Sequence, residues 1–130
     1  MAERGARLLV ADDNKVNRLL LQRSLQLQGH QVALAENGRV ALEMLRKEPF
    51  DLLLLDIAMP EMDGLEATAV IRTQERQRGV HTPIIAMTAH AMKGDRQRCL
   101  DAGMDDYLSK PIRAGELFEK LRAAMPNARG

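Results

Sequence analysis

At 130 residues the chain has room for one domain with a real core and too little for two. Its content, 45% hydrophobic and 28% charged, is that of an ordinary soluble domain, and 19 basic against 18 acidic side chains leave a formal net charge of +1, too weak a field to point to nucleic acid. With no Trp, one Tyr and two Phe there is no aromatic platform for stacking bases, and the single Cys99 excludes an internal disulfide and suits a reducing cytoplasm. No apolar run approaches the roughly 18 residues of a membrane span, so no membrane contact is expected, and Met1-Ala2-Glu3-Arg4-Gly5 lacks a signal-peptide core.

The chain then alternates between two periodicities. Arg7 to Ala11 reads as a short apolar strand, and about Asn14 to Gln28 as a helix stopped by Gly29. Gln31 to Ala35 is a second strand, followed by a helix from Gly38 to Lys47 ended by Pro49. Leu52 to Leu55, four leucines in a row, reads as a strand buried on both faces. A loop rich in turn residues leads to a helix from about Leu65 to Arg78. Pro83 to Met87 is a fourth strand and Met92 to Ala102 a helix stopped by Gly103. Asp106 to Ser109 is a short fifth strand, and Ala114 to Ala124 a last helix ended by Pro126. Strands and helices in alternation with short connections predict a parallel sheet covered on both faces. Residues 1–130 are expected to form a single domain with a core from about 7 to 124, fraying only at Asn127 to Gly130.

The strand ends carry the chemistry. The first strand finishes at Asp12-Asp13, the third at Asp56, the fourth at Thr88 and the fifth just before Lys110. In a parallel sheet these ends share one edge, where open α/β folds keep their binding crevice. Taken singly, each has an ordinary role: Asp12 and Asp13 as caps of the first helix, Thr88 as a β-branched strand residue, Lys110 as a solvated surface lysine. Their joint arrival at one edge favours a functional site. Three close carboxylates repel one another unless something positive stays among them, and Mg²⁺, a hard cation with oxygen ligands, relieves that repulsion. Lys110 would neutralise oxygens of an incoming phosphoryl group, Thr88 would donate a hydrogen bond to one of them, and Asp56, already ionised, would attack phosphorus without a separate base.

Four motifs make a family resemblance visible: Val10-Ala11-Asp12-Asp13-Asn14, Leu55-Asp56-Ile57-Ala58-Met59-Pro60-Glu61-Met62-Asp63-Gly64, Met87-Thr88-Ala89 and Tyr107-Leu108-Ser109-Lys110-Pro111. In order and spacing the chain resembles a response-regulator receiver domain from about Arg7 to Ala124. The resemblance implies a flavodoxin-like fold with five parallel strands in the order 2-1-3-4-5 and five helices. It implies that Asp56 is the phosphoacceptor, taking its phosphoryl group from a histidine kinase or a histidine phosphotransfer domain. By the same resemblance Asp13, Asp56 and the Ala58 carbonyl ligate Mg²⁺, Asp12 acts through water, and Lys110-Pro111 is a cis peptide. Asp13-Asn14-Lys15-Val16-Asn17-Arg18 and Met87-Thr88-Ala89-His90-Ala91-Met92-Lys93-Gly94-Asp95 resemble receivers attached to hybrid histidine kinases. The glycine motifs of a kinase core and a DNA-binding helix-turn-helix are both absent from the chain, so it is either a stand-alone receiver or a piece of a longer hybrid protein; the second is the expectation.

The resemblance also places a switch at Thr88 and Tyr107, the hydroxyl moving toward the phosphoryl group and the ring filling the space it leaves. The other reading of Tyr107 is a static, partly buried ring. Ala58 and His90, each two residues after a site residue, flank the path of a hydrolytic water and are expected to tune phosphoryl lifetime, His90 chiefly as a rim residue. In the first helix Leu19, Leu20, Leu21, Leu25 and Leu27 spread beyond one core-facing stripe. Either some pack loosely, or Leu19 and Val16 belong to a docking surface for a helical phosphodonor. Arg96, Arg98, Glu116 and Glu119 lie on helices where receivers often meet targets. Met44, Met87, Met104 and Cys99 are expected in the core, His30 and His81 outside any metal site, and Arg72, Arg76 and Arg78 as a solvated basic helix end. The rival function is a haloacid-dehalogenase-like aspartyl-phosphate phosphatase, but that family needs a second Asp where Ala58 stands and a cap insertion that is missing here. A phosphate sink without its own output is the third reading. No turnover of small substrates is expected.

Overall fold

The computed structural model describes residues 5–89 and 93–125. Ten elements alternate along them: β1 (Arg7–Ala11), α1 (Lys15–Leu27), β2 (Gln31–Ala35), α2 (Gly38–Lys47), β3 (Leu52–Asp56), α3 (Gly64–Arg78), β4 (Ile84–Thr88), α4 (Lys93–Asp101), β5 (Asp106–Ser109) and α5 (Ala114–Ala124). Every strand pairing is parallel, and the five strands lie in the order β2-β1-β3-β4-β5. Fold class, strand order and element boundaries agree with the sequence reading to within a residue or so at each end. His90, Ala91, Met92 and the residues from Pro126 onward lie outside the described residues.

The two-residue period of the strands divides the core into two layers. Leu9, Ala11, Leu53, Leu55, Ile84 and Ala86 point to one face and pack against α2, α3 and α4 through Ala41, Leu42, Ala67, Ile71 and Cys99. Leu8, Val10, Leu52, Leu54, Ile85, Met87 and Leu108 point to the other and meet α1 and α5 through Leu21, Leu25, Leu117 and Leu121. β3, at the centre, is buried along its whole length, which is why its sequence is an unbroken apolar run rather than an alternation. Met87, Met104 and Cys99 are core residues and Met44 packs against the core, as their sequence positions predicted.

Local sequence sets the helix starts. Asn14 caps α1 by accepting from the Asn17 N–H, Asn37 caps α2 by accepting from Val40, and Asp63 forms a reciprocal box with Glu66 at the start of α3. Asp12 and Asp13 are therefore not the caps of α1, and their carboxylates remain for the sheet edge.

Two sequence expectations are refined. α1 buries Leu21 and Leu25 and leaves Val16 (64% exposed), Leu19 (48%), Leu20 (60%) and Leu27 (78%) at the surface, so its surplus leucines are displayed rather than loosely packed. Arg72 is not part of a solvated basic end. Its side chain is 13% exposed and bonds the Gly103 carbonyl (2.8 Å), the Thr82 carbonyl (2.9 Å), Glu75 (2.5 Å) and Asp105 (2.8 Å). No helix among the described residues is long and apolar enough to cross a membrane.

Candidate functional site

The registers bring the chemistry to one place. Ala11 is paired with Leu55, Asp56 with Met87 and Thr88 with Ser109, so the residues at and just after these strand ends share the carboxyl edge of the sheet. Lys110 is set there by its backbone N–H, which donates to the Thr88 carbonyl at 2.7 Å, and the Lys110-Pro111 peptide that follows is cis, as the sequence reading expected.

Asp12, Asp56 and Thr88 are buried, and Asp13 is exposed. One carboxylate oxygen from each of Asp12, Asp13 and Asp56 lies within 4.8 Å of the others. Asp56 Oδ1 accepts the Ala58 N–H at 3.0 Å, and its Oδ2 accepts Lys110 Nζ at 2.8 Å. Asp12 Oδ1 accepts the Asn14 N–H at 2.8 Å, and Arg18 donates to the Asp12 carbonyl at 2.6 Å. Asp12 Oδ2, buried at the strand end, forms an ion pair with Lys110 Nζ at 3.1 Å. Burial raises the Asp56 carboxyl above its ordinary range, against the pull of Lys110 and the Ala58 N–H. Burial also works against the Lys110 ammonium, but its bonds to Asp56 and Asp12 outweigh that and hold it above its usual value. Lys110 is thus a fixed cation shared by Asp12 and Asp56, with the Asp13 carboxylate close to both.

One ammonium cannot neutralise three carboxylates. Hard oxygen donors in excess negative charge are the donor set of Mg²⁺, so the residues present fit that ion.

Four of the sequence-predicted residues, Asp12, Asp13, Asp56 and Lys110, are thus gathered directly. Thr88 ends the neighbouring strand, and Ala58 lies in the loop after β3. Tyr107 is half-buried on β5, with the Arg96 guanidinium 6.0 Å from its ring centre. His90 lies outside the described residues. Val16 and Leu19 stand on the exposed side of α1. Beside them a groove of about 150 Å³ between α1 and α5, lined by Asn17, Leu20, Leu21, Ile112 and Leu117, runs to Asp12 and Lys110. Sequence reasoning missed Arg18, although its place four residues after the cap Asn14 puts it on the helix face above Asp12.

The comparisons with known proteins agree with this geometry. The response regulator receiver domain model matches residues 8–122. The sensor histidine kinase GacS of Pseudomonas protegens is 45% identical over 120 residues, 92% of this chain and 13% of that protein. The signal transduction histidine-protein kinase BarA of Escherichia coli K12 is 40% identical over 121 residues, 93% of this chain and again 13% of the relative. The chain therefore spans only about an eighth of the length of these curated relatives. Among solved structures, the receiver domain of sensor histidine kinase PA1611 from Pseudomonas aeruginosa, with a magnesium ion coordinated in its active site cleft, is similar at TM-score 0.85 and 39% identity, covering 95% of this chain and 99% of that one. The receiver domain of Ssk1 from Saccharomyces cerevisiae, in complex with the histidine phosphotransfer protein Ypd1, is similar at TM-score 0.88 and 28% identity, covering 94% and 90%.

Proposed function

The chain belongs to the response regulator receiver domain family, whose members serve two-component and phosphorelay signalling, and on that premise we propose that Asp56 is its phosphoacceptor, charged from a phosphohistidine. The observation that supports this most is the pairing of a buried, strand-held Asp56 with Lys110 at 2.8 Å beside two further carboxylates. An Asp56 oxygen attacks phosphorus, the P–N bond to the donor imidazole breaks, and its electron pair returns to the ring. The product is an acyl phosphate. Lys110, already held over the carboxylate, neutralises phosphoryl oxygens, and the Thr88 hydroxyl donates to one of them. Asp13, Asp56 and the Ala58 carbonyl would hold Mg²⁺, with Asp12 acting through water; the ion supplies charge neutralisation at the transferring group.

The donor is a histidine kinase or a histidine phosphotransfer domain, and its helix docks on the exposed apolar side of α1 at Val16 and Leu19. The Ypd1 complex of a similar receiver supports that choice. Leu19→Glu should slow transfer from such a donor about fivefold or more while leaving acetyl phosphate unaffected. Equal slowing of both would instead mean a damaged site. Phosphorylation changes the partner-binding surface through Thr88 and Tyr107, and Ala58 and His90 tune the lifetime of the acyl phosphate. Residues 1–130 act as one cytoplasmic receiver domain that catalyses its own phosphorylation and dephosphorylation. Mass measurement of the intact chain after incubation with acetyl phosphate and Mg²⁺ is the decisive experiment. One added phosphate, lost without Mg²⁺ and absent in Asp56→Asn, is the expected result; uptake persisting in Asp56→Asn would overturn the assignment.

A further inference from the structure

The loop between β3 and α3 is held in place by an element that takes no part in the chemistry. Its two ends are pinned: Ala58 by its N–H on Asp56, and Asp63 by its box with Glu66. A Cβ at Gly64 would lie 2.5 Å from the Asp56 carbonyl, so the start of α3 is pressed onto the strand end. Between these ends the loop meets the N-terminus of α2. The Gly38 N–H donates to the Met62 carbonyl at 2.9 Å, and a Cβ on Gly38 would lie 2.6 Å from that same oxygen. Glu61 adopts a left-handed backbone with φ 65°, unusual for a residue with a side chain. Its carboxylate accepts from the buried Asn37 amide (3.3 Å) and from Arg39 Nε (3.3 Å). The same Asn37 caps α2 through its other side-chain atom, accepting from Val40 at 2.9 Å.

Asn37 thus faces both ways. Its oxygen starts the helix and its nitrogen holds the loop. We infer that Asn37, Gly38 and Glu61 form a brace that positions the Ala58 carbonyl for the metal, making them positioning residues of the phosphoacceptor site. The physical reason is the rigidity that Mg²⁺ requires. The ion accepts little departure from octahedral geometry, and a backbone carbonyl has no rotamer with which to adjust. A loop carrying such a ligand must be placed beforehand, and outer contacts of this kind commonly govern metal affinity. Arg39 and Glu61 are exposed, so their ion pair contributes little to the brace. The buried Asn37 amide and the tight Gly38–Met62 contact carry it.

The inference rests on the metal assignment proposed above, and the test separates the two. Asn37→Asp keeps a good helix cap but turns the donor facing Glu61 into a like charge. It should raise the Mg²⁺ dissociation constant about 10-fold, followed by amide shifts during titration with Mg²⁺ alone. It should also speed hydrogen exchange at Ala58 in metal-free protein. Adding Glu61→Gln restores a donor–acceptor pair of reversed polarity and should return both readouts to within about twofold of native. Gly38→Ala intrudes on the Met62 carbonyl and forces the loop to shift, so it should weaken Mg²⁺ binding about 10-fold and lower metal-free stability as well. An unchanged Mg²⁺ dissociation constant in both Asn37→Asp and Gly38→Ala would overturn the brace while leaving the metal site standing. Failure of the native chain to bind Mg²⁺, or no loss of binding in Asp13→Asn, would overturn the metal assignment and the brace with it.

Discussion

Two charged clusters occupy opposite edges of the same sheet, and they are finished to different degrees. At the carboxyl edge Asp12, Asp13 and Asp56 crowd together and a single ammonium, that of Lys110, pairs with Asp12 and Asp56. At the amino edge Arg72 spreads its guanidinium over Glu75, Asp105 and two carbonyls. Glu75 Oε2 takes the Thr82 N–H at 2.7 Å, and Asp105 takes the Ile84 N–H and His81 Nε2, each at 2.8 Å. Both clusters join residues from several elements. Only the amino-edge cluster is self-sufficient. Its guanidinium and both carboxylates are fully hydrogen-bonded within the cluster, which is what a buried ionic group needs to persist in a fold. The carboxyl edge has surplus negative charge, which the proposed cation and phosphoryl group would complete. One edge is closed on itself, and the other is the proposed phosphoacceptor site.

The contrast can be broken most severely at the carboxyl edge. Lys110→Ala should slow phosphorylation by acetyl phosphate about 100-fold, read by intact mass against time, because the cluster's only side-chain cation aimed at the phosphoryl oxygens is lost. The fold should survive it. Arg72→Met should do the reverse, costing about 3 kcal/mol in urea denaturation by stranding Glu75 and Asp105. Chains that remain folded should still accept phosphate at the native rate; loss of uptake from the folded fraction would mean the two edges are coupled. Asp105→Asn is gentler, since the amide can still accept from Ile84, and about 1 kcal/mol is expected from the charged bond it loses.

The smallest expected effect is a pH dependence. His30, at the amino edge, accepts the Ala6 N–H on Nδ1 at 3.0 Å, and burial lowers its pKa despite the nearby Asp51 carboxylate. The unfolded chain therefore binds a proton more readily than the folded one. Stability from this group is complete above the ordinary histidine value of 6.5 and declines as pH falls through that value toward the lower folded pKa. His30→Gln should flatten that part of the profile. A native profile that rises as pH drops below 6.5 would contradict the assignment.

The carboxyl edge was far more legible in the sequence than the amino edge. Asp12-Asp13 and Asp56 close apolar runs and Lys110 directly follows the short strand Asp106–Ser109, so finding the strands finds the site. Arg72 gave no such signal. On the helix it reads as one of several late arginines, and its partners Gly103 and Asp105 are 31 and 33 residues away in loops whose approach depends on the fold. Glu61 was equally silent, because a left-handed backbone at a non-glycine residue leaves no trace in residue type. The surplus apolar residues of α1 were visible, but which of them reach the surface was not.

Local patterning alone was enough to set strand and helix order, the buried character of β3 and the chemistry carried at the strand ends. These follow from interactions between residues near in sequence: the two-residue and 3.6-residue periods, side-chain caps, and turn residues between them. Tertiary structure alone decided that Leu21 and Leu25 face inward while Val16, Leu19 and Leu20 do not, that Asn37 serves a helix and a loop together, and that Arg72 is an internal tie. Each of those depends on a partner from another element, and the free energy of such a contact exists only once the chain has closed the distance between them.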